Sequence, residues 1–312
     1  MKEDIRALLR TSDAVLSMGS ERRAFESFER QRWDSTQGVI YQDIETNKFR
    51  ELDILAQQLW RHRAKTHHGI TAIRLLVEVK SLAGYHLLFT PTGDHGDVSY
   101  STRFWLGDRD RGRYQWLLSL LEREGFSATL SAELASDFGA SLFPRGRRAP
   151  RPIAVDPPPA PFIATTFRET NTKITKDLDA SVMWRAAASL RSAVQSCFRK
   201  QMRINREFVS QAAFFAGADP AKRVEDVRKS LMRQALRVEE HHPVIVFDAQ
   251  LWKTESASLE RIEWCRFVQR DTMGDAVFWC DVVQANALDA YLEVCTKHYE
   301  RALRRSRAVR FR

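Results

Sequence analysis

Charged side chains lie inside two apolar segments of the sequence, where they could bind a metal ion or take part in acid–base chemistry. Asp53 is flanked by apolar residues, and Glu78 and Lys80 lie on either side of Val79. In a β-strand successive side chains point to opposite faces, so Glu78 and Lys80 would share one face. An unpaired charge in such surroundings costs several kcal/mol, so these groups need one another or a cation.

The three charged groups suit hydrolysis of a phosphodiester bond. The alternation of side chains predicts that Leu52 and Ile54 lie on the face opposite Asp53. A hard divalent cation such as Mg²⁺ takes oxygen ligands, and Asp53 and Glu78 on neighbouring strands could anchor it. Lys80 could position or help deprotonate a water on the metal and stabilise charge on the phosphate. The alternative is that Glu78 and Lys80 form an ordinary ion pair on a solvated face of the sheet. Their spacing alone favours this alternative and a catalytic site equally, and their position inside apolar strands favours the catalytic site.

The elements around these residues are predicted to be a helix followed by strands. Apolar residues have helical spacing over residues 4–33, with a break at Gly19-Ser20 where two helices would meet. Residues 38–60 predict a strand, a polar turn and a second strand. Residues 71–80 predict a third strand, and the apolar run at residues 87–89 continues the pattern. The sequence therefore predicts an antiparallel, partly buried sheet that follows a helix.

A stretch rich in proline and arginine divides the chain. Its proline content predicts an extended connector. We therefore divide the sequence into residues 1–143, a connector at residues 144–162 and a C-terminal lobe at residues 163–312. The elements predicted around and beyond the connector are helices at residues 113–121, 181–203 and 220–238, strands at residues 244–247 and 276–283, and a helix from Ala287.

Composition favours a globular protein with a polyanionic partner. The 312 residues are 44% hydrophobic and 29% charged, and the formal net charge is +9. We expect a cytoplasmic protein without membrane association, because no apolar run approaches the roughly 18 residues of a membrane span and the N-terminus does not resemble a secretory signal. The four cysteines are far apart, which predicts reduced thiols and no zinc site. The excess of Lys and Arg favours a nucleic acid, since their contacts with phosphates release counterions.

The charged residues resemble the motif of the PD-(D/E)xK superfamily, the restriction-endonuclease-like nucleases. In that motif an Asp on one strand is followed by Glu-x-Lys on the next, here Asp53 and Glu78-Val79-Lys80, and the similarity covers roughly residues 19–89. The usual proline before the Asp is replaced by Leu52. The resemblance implies an α/β fold with a restriction-endonuclease-like core, a mixed sheet flanked by helices, within residues 1–143. A helical insertion and a C-terminal α/β segment would follow.

The resemblance also implies an activity and a set of site residues. The protein would be a Mg²⁺- or Mn²⁺-dependent phosphodiesterase, an endonuclease or an exonuclease, acting on DNA in preference to RNA. The implied catalytic residues are Asp53, Glu78, Lys80 and Glu21, and the implied metal ligands are Asp53, Glu78, Val79 and Glu21. The helical spacing of Glu21 places it on the core-facing side of its helix; alternatively it only favours the positive helix N-terminus. A prokaryotic defence or genome-maintenance role is implied in the same way.

Basic clusters are candidates for contacts with phosphates, which position a nucleic acid without reading its sequence. The candidate nucleic-acid-binding residues are Arg61, Arg63, Arg147, Arg148, Arg304 and Arg305. Each cluster could also be a solvated face. Two other functions remain open. The first is a non-catalytic nucleic-acid-binding subunit, and the second is a complex-forming partner that docks through residues 181–203. The assembly would be a homodimer or a complex with a defence-system protein.

Other polar residues are interpreted as structural. Adjacent histidines on one element point apart, so His67-His68 and His241-His242 are predicted to lie in loops or on the surface. Asp248 and Asp281 adjoin or interrupt apolar strands and lack a Glu-x-Lys partner. We therefore predict that both are strand-end residues.

Overall fold

The described part of the chain forms a mixed sheet of ten strands flanked by helices in the computed structural model. The structure describes residues 12–43, 45–63, 68–81, 84–92, 121–123, 125–131, 133, 157–171, 181–215, 224–227, 237–255, 258–270 and 276–308. The main helices are α1 (Asp13–Arg30), α2 (Val182–Phe215) and α3 (Leu288–Ala308), and a short 3-10 helix, Ala285–Ala287, precedes α3. The strands are β1 (Asp34–Gln42), β2 (Phe49–Arg63), β3 (His68–Lys80), β4 (Tyr85–Pro91), β5 (Ile163–Asn171), β6 (Arg237–Phe247), β7 (Gln250–Glu255), β8 (Ser258–Ile262), β9 (Trp264–Arg270) and β10 (Ala276–Gln284).

The strand order is β1-β2-β3-β6-β10-β9-β5-β4-β7-β8. Strands β1, β2 and β3 form an antiparallel meander. Strand β6 then lies parallel to both β3 and β10. The predicted strands before and after the connector therefore belong to one sheet, in which β3 and β6 are interior strands. Central parallel strands are buried on both faces and so consist of continuous apolar runs, such as Val244, Ile245, Val246 and Phe247 in β6.

Two apolar clusters cover the two faces of the sheet. In the first, which we call the α2-side core, α2 packs against residues such as Leu76 and Ile245. In the second, the α1/α3-side core, α1 and α3 pack against residues such as Val77 and Val244. The sheet thus lies between helical layers. Within the described residues, no helix is both long and apolar enough to cross a membrane.

Helix α1 is continuous through the predicted break at Gly19-Ser20, so that prediction is wrong. The helix begins after Ser12, whose Oγ accepts a hydrogen bond from the Val15 amide at 3.3 Å. Ser20 is buried and donates its hydroxyl hydrogen to Asp248 at 3.2 Å. Burial of the helix against the sheet offsets the cost of roughly 1 kcal/mol that an interior glycine carries relative to alanine.

The meander agrees with the sequence prediction, whereas the rest of the sheet is larger than expected. The predicted strands in residues 38–60 and 71–80 are β1, β2 and β3. Four strands were not predicted: β5, β7, β8 and β9. The helix predicted at residues 220–238 cannot extend to its predicted end, because β6 begins at Arg237. Nearly all of the helix predicted at residues 113–121 and most of the connector lie outside the described residues.

The strand-end prediction for Asp281 and the surface prediction for His242 are both wrong, since the two side chains lie in a buried polar network. Asp281 is inside β10 with no exposed surface, and it accepts hydrogen bonds from Arg266 Nε at 2.8 Å and from Tyr291 at 2.9 Å. His242 Nε2 lies 2.8 Å from Asp281, and Nδ1 lies 2.6 Å from the Tyr299 hydroxyl. His241, the neighbour of His242 in β6, is also buried. This network ties α3 to the sheet.

Candidate functional site

The alternation of side chains along β2 is interrupted at Asp53, which lies opposite a glycine with left-handed backbone angles. Leu52 packs in the α2-side core, whereas Ile54 packs in the α1/α3-side core. The prediction that these two side chains share one face is therefore wrong. The register pairs the residues on either side of Gly38 and Asp53, and Gly38 has a φ of 67°. A left-handed residue interrupts the regular pleat, so Gly38 allows the change of face beside Asp53.

Replacing Gly38 with alanine should destabilise the protein by about 1–2 kcal/mol, because an L-residue pays roughly that amount for a left-handed conformation. The added Cβ would also lie 3.0 Å from Glu51 Oε1, although that side chain can move. The matched control is Gly19→Ala at an interior helical glycine, where the added Cβ would make only an ordinary contact with Arg23 Nη1 at 3.9 Å; this variant should be more stable by up to ~1 kcal/mol. Urea denaturation measures both. Equal stability of Gly38→Ala and wild type would contradict the assigned role of Gly38.

Asp53, Glu78 and Lys80 converge where β2 passes the C-terminal end of β3. Lys80 Nζ lies 2.6 Å from Glu78 Oε2 and 3.5 Å from Asp53 Oδ2. The Val79 amide donates to Asp53 Oδ2 at 2.6 Å, which ties β2 to β3 at this point. The side chain of Glu78 is 5% exposed, that of Asp53 18% and that of Lys80 27%. The three groups predicted from the sequence thus form one partly open cluster.

The electrostatics of the cluster favour a charged lysine. Burial raises the pKa of Glu78, against the opposing effect of Lys80. Burial lowers the pKa of Lys80, but the charges of Glu78 and Asp53 outweigh it, and the net pKa lies above the ordinary lysine value. In this arrangement Lys80 is an ammonium that donates hydrogen bonds and stabilises negative charge. It is not a neutral amine ready to take a proton.

The oxygen atoms of this cluster fit a hard divalent cation. Among the described residues, Val79 and Lys80 donate hydrogen bonds to Asp53, and both bonds are to Oδ2. Oδ1 could therefore bind a further ligand. Val79 buries its side chain in the α1/α3-side core, so it could reach a metal only through its main chain. Among the described residues, no group of three or more His, Cys, Asp or Glu side chains could hold a metal ion. If a cation binds here, Asp53 and Glu78 would supply side-chain oxygens, and a site with two carboxylates would suit Mg²⁺, which keeps several waters.

Glu21 lies on α1, half-buried, and it accepts a hydrogen bond from Ser17 at 2.9 Å. Within the described part of the chain, its carboxylate makes no hydrogen bond to Asp53, Glu78 or Lys80. The neighbouring Ser20 contacts Asp248, and the Asp248 amide donates to the Lys80 carbonyl oxygen at 2.9 Å. Helix α1 thus runs past the end of β3 and β6 where the cluster lies, and Glu21 is near that end of the sheet.

Sequence reasoning missed a serine that contacts the cluster and a tyrosine that contacts this serine. Ser189 of α2 donates to Glu78 Oε1 at 2.7 Å. The Tyr41 hydroxyl of β1 lies 3.0 Å from Ser189. A serine within the apolar face of α2 was the available signal. Its separation of 111 residues from Glu78 gave no reason to pair the two.

The candidate nucleic-acid-binding residues are only partly described. Arg304 is exposed on α3 and donates to Glu300 at 3.3 Å. Arg305 belongs to α3, and Arg61 and Arg63 belong to the end of β2, but their side chains lie outside the described residues. Arg147 and Arg148 lie outside them entirely.

Comparisons of the chain with protein-family models, with curated proteins and with solved structures gave no match.

Proposed function

We propose that this protein is a metal-dependent nuclease that hydrolyses phosphodiester bonds with Mg²⁺ or Mn²⁺. The observation that carries the proposal is the position of the Lys80 ammonium, 2.6 Å from Glu78 and 3.5 Å from Asp53 in a partly open cluster. Two carboxylates and a lysine, held by adjacent strands, provide metal ligands and a positive donor for a phosphate.

The order of the elements supports a restriction-endonuclease-like core. Helix α1 is followed by the antiparallel β1, β2 and β3; after β4 and β5 come α2 and then β6, which lies parallel to β3. A helix before the strands that carry the charged residues agrees with what the resemblance implies, and on this proposal the motif residues are Asp53 of β2 and Glu78 and Lys80 of β3. On this proposal, β6 from the predicted C-terminal lobe completes the core that begins in residues 1–143.

Each residue has a distinct task in the proposed reaction. A bound divalent cation would supply positive charge beside the scissile phosphate. Asp53 and Glu78 would hold it, with Asp53 oriented by the Val79 amide. Lys80 would donate hydrogen bonds to the phosphate or to the attacking water and stabilise the charge that develops there. Glu21 would support the site from α1.

The proposed substrate is DNA in preference to RNA, in a cytoplasmic defence or genome-maintenance role. The net charge of +9 supports a polyanionic substrate. The exposed Arg304 and the other candidate arginines would contact phosphates without reading sequence.

A cleavage assay on several substrates tests the proposed function. Supercoiled plasmid, linear duplex, single-stranded DNA and structured RNA are each incubated with the protein in Mg²⁺, in Mn²⁺ and in EDTA. We expect cleavage of DNA that requires a divalent cation. Binding without cleavage of any substrate would favour a non-catalytic nucleic-acid-binding subunit, and the absence of both would favour a complex-forming protein.

A further inference from the structure

The carboxylate of Glu78 is held at both of its oxygens. Lys80 contacts Oε2, and the Ser189 hydroxyl donates to Oε1 at 2.7 Å. Behind Ser189, the Tyr41 hydroxyl lies 3.0 Å from both the carbonyl oxygen and the Oγ of Ser189. A chain of polar groups thus connects β1, α2 and β3.

The hydrogen bonds in this chain have one direction when Glu78 is ionised. A carboxylate only accepts, so Ser189 must donate its single hydroxyl hydrogen to Glu78. Ser189 Oγ can then only accept from Tyr41, whose single hydroxyl hydrogen is shared between that oxygen and the Ser189 carbonyl oxygen. Burial raises the pKa of Tyr41, which keeps its hydroxyl protonated at neutral pH.

Helix α2 fixes the position of the Ser189 hydroxyl. The adjacent Leu190 is fully buried in the α2-side core, and Ala186, one turn earlier, is buried with it. The start of the helix is held by Glu169 of β5, which accepts hydrogen bonds from the Met183 amide at 2.8 Å and from the Ser181 hydroxyl at 2.5 Å. Lys80, by contrast, reaches Glu78 at the end of a flexible side chain.

We propose that Ser189 and Tyr41 are positioning residues that set the orientation of the Glu78 carboxylate for cation binding. This inference rests on the proposed nuclease function, because it assigns the two residues to that site. Neither is a catalytic residue. They act through Glu78, in the way that partners of metal ligands fix the ligand and raise its effectiveness.

The test compares Ser189→Ala with Ser192→Ala in the full chain. Ser192 lies on the same helix and is buried, and its hydroxyl has no hydrogen-bond partner among the described residues. We expect Ser189→Ala to lower kcat roughly 10- to 100-fold with little change in KM, the range typical for partners of metal ligands. Mn²⁺ binding, followed by loss of the free-ion electron paramagnetic resonance signal, should weaken as well. Ser189→Thr keeps the hydroxyl and should restore both, Tyr41→Phe should have a smaller effect, and Ser192→Ala should have none.

A cycle of thermal unfolding measurements separates failure of this inference from failure of the nuclease proposal. Ser189→Ala should lower the Tm in the wild-type background, and much less in the Glu78→Ala background, because the contact is already lost there. If the Tm shifts are not additive and the protein cleaves no substrate, the nuclease proposal is wrong, but the contact between Ser189 and Glu78 is supported. Additive Tm shifts, or a Ser189→Ala protein with wild-type kcat and Mn²⁺ affinity, would overturn the positioning role.

Discussion

Glu78→Ala and Lys80→Ala should each lower the cleavage rate by at least about 100-fold and leave nucleic-acid affinity nearly unchanged. Glu78 is the more buried of the two candidate metal-binding carboxylates, and its removal leaves Asp53 alone. Lys80 supplies the positive donor, and the loss of one such preorganised donor lowers kcat by about 10²- to 10³-fold. Affinity should persist, because phosphate contacts elsewhere supply most of the binding energy. Cleavage rates and binding isotherms measured on the same preparations check both parts.

Glu51→Ala is the matched control for these two variants. Glu51 is an exposed carboxylate on β2, two residues before Asp53, and should be dispensable for cleavage. Circular dichroism of all three variants checks that the fold is retained. If a folded Glu78→Ala or Lys80→Ala protein cleaved at the wild-type rate, the assignment of that residue to the active site would be contradicted.

Asp281→Ala should destabilise the protein by about 3–5 kcal/mol, the usual cost of removing one partner from a buried ion pair. Asp281 accepts two hydrogen bonds from Arg266, at 2.8 and 3.0 Å, and its removal leaves that guanidinium buried without its counter-charge. Urea denaturation measures the loss. Glu260→Ala is the control, since Glu260 is 70% exposed and should change stability by no more than ~0.5 kcal/mol. A loss of similar size in both variants would contradict the structural role of the network.

Acidification should destabilise the protein through the buried histidines and Asp281. Burial lowers the pKa of His241 to about 4 from an ordinary value of 6.5. The unfolded chain therefore binds a proton that the folded protein excludes, and stability falls by ~1.4 kcal/mol per pH unit for this group between pH 6.5 and 4. Burial opposes ionisation of Asp281, but Arg266 and His242 lower its pKa to about 2, so further stability is lost below an ordinary value of 3.8.

Denaturation curves at pH 7.5, 6, 5 and 4.5 check this dependence. The free energy of unfolding should be highest above pH 6.5 and decrease steadily below it, and His241→Gln should have a shallower decrease. A free energy that stays constant from pH 7.5 to 4.5 would contradict the burial assigned to His241.

The sequence was sufficient to predict the meander and its three charged residues, because their signals are local. Strands β1, β2 and β3 have apolar patterns and a polar turn, and the motif spacing places Glu78 and Lys80 on one face. Helix α2 and α3 were also predicted near their observed positions, since long amphipathic spacing is a strong signal. The sequence predicted a helix break at Gly19 that the structure does not have, because packing against the sheet outweighs the low helix propensity of one glycine.

The parts that sequence reasoning missed depend on contacts between distant segments. Ser189 reaches Glu78 across 111 residues, and no local pattern connects them. Asp281 and His242 looked like strand-end and surface residues, because a buried charge is stable only with partners whose positions the sequence does not show. The change of face at Asp53 depends on Gly38, on the neighbouring strand.

Metal dependence of cleavage in wild type and Asp53→Asn tests the central claim most directly. The substitution keeps the shape of the side chain and an oxygen that can accept from the Val79 amide, but removes the charge that a cation requires. We predict that wild-type protein stripped with EDTA is inactive, that Mg²⁺ or Mn²⁺ restores cleavage in a saturable way, and that Asp53→Asn remains inactive at concentrations that saturate the wild type. Cleavage by the stripped wild-type protein, or by Asp53→Asn at the wild-type rate, would contradict a metal site built on Asp53 and Glu78.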